Sequence, residues 1–214
     1  MPKTLIAVPC FDMVHSDFME SIINLEKPPE TFFTKIKNTM IYLSRNIIAA
    51  NAIEYGFDRV FWVDSDMVLP PDTLLRLTED MDKGNIDFVS GLYFTRRPPI
   101  KPVLFEKLWW KQKDDNAIDS GYEYMWNFPE GLTECAAIGF GCALTSVNLL
   151  KQVGEKYGSP FTPLEGMGED MAFCLRVRDM GKKIYCDTSI KCGHCGQMEF
   201  NEDFYKKQGI PVLE

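Results

Sequence analysis

Histidine is scarce in this chain of 214 residues, which has only His15 and His194. Positive charge is also in deficit: 23 lysines and arginines face 31 aspartates and glutamates, a formal net charge of −8. That balance argues against a nucleic-acid backbone or an anionic membrane as the main partner, since both are met by basic surfaces. An anionic ligand would need local help from a bound cation or a few arginines. Long hydrophobic runs are missing, none approaching the roughly 20 residues of a spanning helix. The opening run, residues 5–8, is too short for a signal-peptide core and leads into Pro9, so a cytoplasmic protein is expected. Residues 9–16 contain no glycine, where a loop cradling a triphosphate would need it.

Paired cysteine motifs are sparse too. Cys10, Cys135, Cys142, Cys174, Cys186, Cys192 and Cys195 form an odd, scattered set, best read as reduced thiols that fill small core spaces. One cluster has zinc-ligand chemistry, Cys192-Gly193-His194-Cys195 with Cys186 upstream. A second Cys-x-x-Cys pair is lacking.

What remains is an ordinary globular composition, 45% hydrophobic and 25% charged, long enough for one large core. The chain is organised around Arg59-Val60-Phe61-Trp62-Val63-Asp64-Ser65-Asp66-Met67-Val68-Leu69-Pro70-Pro71. Residues 60–63 are β-branched and aromatic, which predicts a strand buried on both faces. Pro70 and Pro71 suit a helix start, where a missing N–H costs nothing. Asp64 and Asp66 therefore fall at the carboxyl end of a central strand, the edge where open α/β sheets bind ligands. Two carboxylates one residue apart can hold a hard divalent cation, which in turn takes phosphate oxygens. The same residues also make common turns.

Strands alternate with helices through the first ~90 residues, which predicts a parallel sheet with right-handed crossovers. Strands are expected at 5–10, 60–63 and 86–90. Helices are expected at 17–25 behind a Ser16 cap, at 39–55 with Ile41, Ile47, Ile48 and Ile53 in helical rhythm, and at 71–81. Residues 26–34 read as loop, and so does the proline-rich 96–102. Two aromatic-rich stretches, 103–110 and 122–128, flank a polar segment, 111–120, expected to be mobile. Small strands follow at 134–138 and 142–145, then a helix from Ser146 through Tyr157. A loop at 159–167, a helix at 168–180 and strands at 183–186 and 190–192 end the pattern. No repeat and no linker divides the chain.

The strand–turn–helix setting of Asp64-Ser65-Asp66 resembles the GT-A glycosyltransferases, particularly inverting, family-2-like members. Three further stretches extend the resemblance from Leu5 to Gly196: Ser44-Arg45-Asn46, Gly139-Phe140-Gly141-Cys142, and Gly168-Glu169-Asp170 followed by Cys192-Gly193-His194. The resemblance implies a GT-A fold, a single mostly parallel mixed sheet flanked by helices. Residues 1–95 would bind the nucleotide-sugar, 96–198 would carry acceptor and catalysis, and 199–214 would be a tail. It implies a metal-dependent transfer of a sugar from a UDP- or GDP-sugar to a carbohydrate or other hydroxyl acceptor. Asp66 and His194, with Asp64, would hold Mn2+ or Mg2+. Asp64, Arg45, Pro9 and Arg96 would contact the donor, and the glycine-rich strand would lie along the acceptor site. Asp170 would be the base, with Glu169 holding an acceptor hydroxyl. Physically, Asp170 in a first helical turn is favoured as an ionised carboxylate, which can also be simple capping. Trp109, Trp110 and Trp126 are candidates for stacking on an acceptor sugar, or core filling.

The chain departs from the family pattern in two places. Pro9-Cys10-Phe11-Asp12 stands where a Thr/Ser-Tyr-Asn stretch is usual, which leaves the nucleotide base open. The Gln-x-x-Arg-Trp motif and membrane helices of the processive polymerases are absent, which argues against polysaccharide synthesis. Rival readings are a nucleotidyltransferase on a similar sheet and a nucleotide-sugar-binding module without turnover.

Overall fold

The computed structural model describes residues 1–114 and 117–197; the expected tail, 199–214, lies outside the described residues. In chain order the elements are β1 (Thr4–Cys10), α1 (Ser16–Asn24), β2 (Thr31–Lys37), α2 (Ile41–Glu54), β3 (Arg59–Val63), β4 (Met67–Val68), α3 (Thr73–Gly84) and β5 (Phe88–Leu92). There follow β6 (Leu104–Asp114), β7 (Ala117–Tyr124), β8 (Leu132–Cys135), β9 (Ala137–Ile138), β10 (Cys142–Ser146), α4 (Val147–Tyr157), α5 (Glu169–Asp179), β11 (Ile184–Lys191) and β12 (Gly193–His194).

The main sheet has seven strands in the order β2-β1-β3-β10-β5-β11-β8. β2, β1, β3, β5 and β11 run in one direction, while β10 and β8 run against it. One edge of the sheet therefore collects the ends of five strands and the beginning of β10. β3 is third in the order, an interior strand between β1 and β10, and its alternation builds both layers. Val60 and Trp62 face a core with α2, α4 and α5, whereas Phe61 and Val63 face one with α1 and α3. All four are fully buried, each worth about 1.5–3 kcal/mol or more relative to exposure. Trp62 packs edge-to-face on Phe140 and Phe161, and Phe161 stacks on Phe173 at 4.8 Å. The Trp62 indole N–H is satisfied by Thr145 Oγ1 at 2.9 Å, so this polar atom is not left unpaired in the core.

Several expectations change. Residues 31–34 of the expected loop belong instead to a strand, β2: it adds to β1 in parallel along the sheet edge, where backbone pairing does the work and Phe32 and Phe33 stay exposed. His15, not Ser16, caps α1, its Nδ1 accepting from the Asp17 amide. In α2 the isoleucine rhythm marks the wrong face. Ile41, Ile47 and Ile53 are exposed, and the buried side carries Ser44, Arg45, Ile48, Ala49 and Ala52. α3 begins at Thr73, just after the two prolines. In the polar segment 111–120 the described residues, 111–114 and 117–120, are strand, paired antiparallel as the ends of β6 and β7. The expected strands at 183–186 and 190–192 merge into one, β11, with a register shift between Asp187 and Lys191. The helix behind Ser146 ends at Tyr157 as expected, with Ser146 Oγ accepting from the Leu149 amide.

Candidate active site

Asp64 and Asp66 leave β3 into a turn closed by the Met67 amide, which donates to the Asp64 carbonyl at 3.1 Å. The Asp64 amide donates across the sheet to the Gly141 carbonyl, so the turn is pinned to the start of β10. β12 then pairs with β4, matching His194 to Met67 and carrying the imidazole over the turn. His194 Nε2 lies 3.5 Å from Asp66 Oδ2, and Nδ1 is 2.8 Å from the Phe94 carbonyl. With Nδ1 protonated toward that carbonyl, Nε2 would be the free lone pair, the tautomer a metal ligand needs.

A cleft of about 570 Å³ opens beside the turn, lined by Pro9, Cys10, Asn38, Asp64, Asp66 and Arg96 among others. Arg96 pairs with Asp66, so one carboxylate already holds a cation at its mouth. Pro9 lies on the wall as the end of β1 dictates. Arg45 does not line the cleft. It is 2% exposed, behind Asp64, with Nη2 donating to Asp64 Oδ1 at 2.9 Å and Nε 3.5 Å from Glu169 Oε1. Its guanidinium lies 4.8 Å over the Phe140 ring, a cation–π contact inside the core. Nε and Nη1 have no hydrogen-bond partner among the described residues. Arg45 therefore joins the β3 turn to the start of α5.

At that start Gly168 occupies the N-cap position and Asp170 Oδ1 accepts from the Met171 amide at 2.8 Å. Burial raises the Asp170 carboxyl above its ordinary value; Arg45 opposes the rise and the Asp64 charge adds to it. Glu169 is raised for the same first reason, with Arg45 again opposing and Asp170 adding. Met171 and Cys174 of the same helix are buried as expected, while Leu175 is half-buried.

The glycines of 139–141 have a cause the sequence did not reveal. A Cβ on Gly139 would strike the Tyr93 hydroxyl, and one on Gly141 would lie 2.9 Å from the Tyr93 ring. Tyr93 Oη accepts from the Gly141 amide at 3.1 Å. Its ring stands edge-on to His194 at 5.5 Å. Burial first, then the Asp64 charge, pushes the phenol well above its ordinary range, so it stays a neutral spacer. Nothing in the local sequence around 93 announces this.

The three tryptophans part company. Trp109 packs over Gly121 and donates to Asp119, and Trp110 donates to the Glu165 carbonyl of the loop before α5. Trp126 instead joins an aromatic series with Tyr124, Tyr122 and Phe105 at centroid separations of 4.7–5.5 Å. A hydrogen bond with Tyr124, then burial, raises the Tyr122 phenol above its ordinary value, with the Asp170 charge a minor addition. Cys186 and Cys192 are buried, Cys192 and Cys142 both against Gly91, as expected of thiols that fill small core spaces, while Cys195 is half-buried.

No family model and no curated protein matches this chain. Solved structures do. One is A197 from STIV, 17% identical, covering 91% of this chain and 86% of that one with a TM-score of 0.65. Another is GalNAc-T7, solved with UDP, GalNAc and Mn2+, 10% identical over 93% of this chain with a TM-score of 0.63. This chain spans a little under half of that one, 45%. At these identities the likeness concerns the fold, which is GT-A-like. No helix among the described residues is long and apolar enough to cross a membrane.

Proposed function

We propose that the chain is a metal-dependent glycosyltransferase that moves a sugar from a nucleoside-diphosphate sugar to an acceptor hydroxyl with inversion. The observation that carries this reading is the meeting of Asp66 with His194 at the mouth of a cleft, while Arg45 links Asp64 to the start of α5. GalNAc-T7, with its UDP and Mn2+, supports the donor class and the metal class as an analogy of fold.

The nucleotide would lie in the cleft along Pro9 and Asn38, its diphosphate toward Asp66 and Arg96. Carboxylate and imidazole suit Mn2+ or Mg2+, so Asp66 and His194 would hold the ion, with Asp64 contributing its oxygen not engaged by Arg45. When bound, the ion supplies charge neutralisation of the leaving diphosphate, among the larger electrostatic contributions to catalysis. Arg96, now on Asp66, would turn to the diphosphate. Arg45 is a positioning residue: from behind the cleft it fixes Asp64 and Glu169 together.

The acceptor would stack on the Tyr122–Tyr124–Trp126 face, where Trp126 is 59% exposed. Its hydroxyl would give its proton to Asp170 while its oxygen attacks the anomeric carbon and the diphosphate departs on the opposite side. A carboxyl raised by burial accepts that proton more readily than an ordinary one.

Asp170→Asn tests this reading. It keeps the shape and removes proton acceptance, so turnover should fall about 10²–10⁴-fold with donor affinity nearly unchanged. Normal turnover with a stability loss of about 1 kcal/mol would make Asp170 only a helix cap. Retention of the donor's anomeric configuration would reject the single displacement.

A further inference from the structure

The turn at 64–66 is gripped from outside by two segments remote in sequence. The His15 amide donates to the Ser65 carbonyl at 3.1 Å, and the Cys195 amide donates to the Asp66 carbonyl at 2.8 Å. These bonds set the start of α1 and the residue after β12 on consecutive peptide units of one turn. Their side chains meet as a result. One ligand atom each from His15, Asp17 and Cys195 lies within 4.8 Å of the other two. Among the described residues no other set of three such side chains gathers this closely. Asp66 and His194 belong to the neighbouring cleft and are not part of it.

We propose that His15, Asp17 and Cys195 bind a zinc-class divalent cation, with water in the fourth position. Imidazole nitrogen, carboxylate oxygen and thiolate sulfur are the three zinc ligand types, at about 2.0–2.3 Å from the ion. Tetrahedral geometry at those lengths, with one sulfur in the set, places ligand atoms roughly 3.3–3.5 Å apart, so closure by at most about 1.5 Å is enough. The side chains are free to make it, His15 and Asp17 being 46% and 61% exposed. The hydrogen bonds at stake are two exposed ones, the Asp17 amide to His15 Nδ1 at 3.3 Å and the Ser16 hydroxyl to Asp17 Oδ1 at 3.1 Å. The reaction is a plain exchange: the Cys195 thiol proton goes to solvent and a zinc–sulfur bond replaces it.

The thiolate separates this site from its neighbour. Carboxylate with imidazole suits manganese or magnesium, whereas a sulfur ligand selects zinc over both. Placement gives the ion a purpose. It would tie the start of α1 to the segment after β12 across the outside of the 64–66 turn, beside Asp66 and Arg96. The wall of the donor cleft would then be held by a bond rather than by two amides. This inference stands on the fold alone and survives whether or not the chain transfers sugars.

Chelator-treated protein titrated with zinc chloride in a calorimeter should bind an equivalent that is still present in His194→Ala, where the neighbouring cleft site is disabled, and the melting temperature should rise with zinc. Cobalt(II) in its place should give a near-ultraviolet thiolate charge-transfer band. Cys195→Ser should remove that band and weaken zinc by more than about tenfold, since one of three protein ligands is gone. His15→Ala should weaken zinc similarly. His194→Ala and Asp66→Asn should leave that equivalent and the band in place, because neither residue belongs to this set of ligands. The variants' melting temperatures in chelator report their folding: Cys195→Ser is expected to match wild type and His15→Ala to melt slightly lower for want of the α1 cap, and Asp17→Asn serves as a third variant if either fails to fold. Absence of both heat and band in the wild type would overturn the proposal. So would a band that survives Cys195→Ser, or zinc that disappears with Asp66→Asn.

Discussion

Arg45 and Arg76 stand among carboxylates on opposite sides of the same sheet, and the two networks are completed differently. Arg76, on α3, has a side chain 31% exposed. It donates to Asp187 Oδ2 at 3.3 Å and to the Ser189 hydroxyl, and Ser189 in turn donates its amide to Asp187 Oδ1 at 2.9 Å. The unmet atom there is a carboxylate oxygen, Asp80 Oδ2. Around Arg45 the unmet atoms are two nitrogens of the cation and the hydroxyl of the neighbouring Ser44. A buried carboxyl can take up a proton as pH falls, and Asp80 is placed to do so: burial, then the Asp187 charge, raises its pKa to about 6. A guanidinium has no such exit, because it keeps its proton at any ordinary pH. Its need is met only by anions held nearby. Arg45 thereby opposes the burial-driven rise of Glu169 and Asp170 and keeps carboxylates clustered at the sheet edge.

Removing each arginine should expose the difference. Arg45→Leu leaves Asp64 and Glu169 without their buried partner, and breaking such a pair typically costs about 3–5 kcal/mol. Urea unfolding should record that loss, and donor binding should fall as Asp64 loses its orientation. A loss below about 1 kcal/mol would mean that Arg45 is not the link between the turn and α5. Arg76→Met should cost less, about 1–2 kcal/mol, because the side chain is partly solvated and Asp187 keeps its Ser189 partners. Equal losses at the two positions would erase the contrast between the networks.

The contrast was only half legible in the sequence. β3 could be read directly, since four consecutive β-branched and aromatic residues dictate a buried strand whatever surrounds them. The Ser146 cap and the Gly168 start of α5 were also local events. Arg45 was visible as a residue of a helix, but its burial was not, because the isoleucines of α2 point outward and polar Ser44 and Arg45 point in. The inward face exists because Asp64 and Glu169 arrive there from 19 and 124 residues further along. β2 was missed for a similar reason: its stability comes from backbone pairing with β1, and its exposed Phe32 and Phe33 give no alternating pattern. The glycines of 139–141 were legible as a close approach, but the approaching group, Tyr93, was not. The Arg76 network left no signal, since Asp80 and Asp187 meet only across the packing of α3 on β11.

The subtlest prediction concerns Asp80 itself. Its carboxyl is raised in the folded state from the ordinary 3.8 to about 6, first by burial and then by Asp187. Between these values the folded chain holds a proton that the unfolded chain has released. Stability from this group is therefore complete below about pH 4 and is lost as pH rises through 6. The full shift would correspond to about 3 kcal/mol, and partial exposure to solvent reduces it to about 1 kcal/mol. Asp80→Asn cannot ionise, so it should match wild type near pH 4 and be about 1 kcal/mol more stable at pH 8, as read from urea midpoints. Glu169 and Asp170 are raised in both proteins, so their shared pH dependence cancels in the difference. Adding Arg76→Met sharpens the test. Arg76 lowers the Asp80 pKa, so its removal should move the loss to higher pH where Asp80 is kept, while leaving the Asp80→Asn background flat. Parallel stability curves for the wild type and Asp80→Asn across this range would show that the carboxyl is solvated after all, and that the network around Arg76 relieves itself by some means other than a proton.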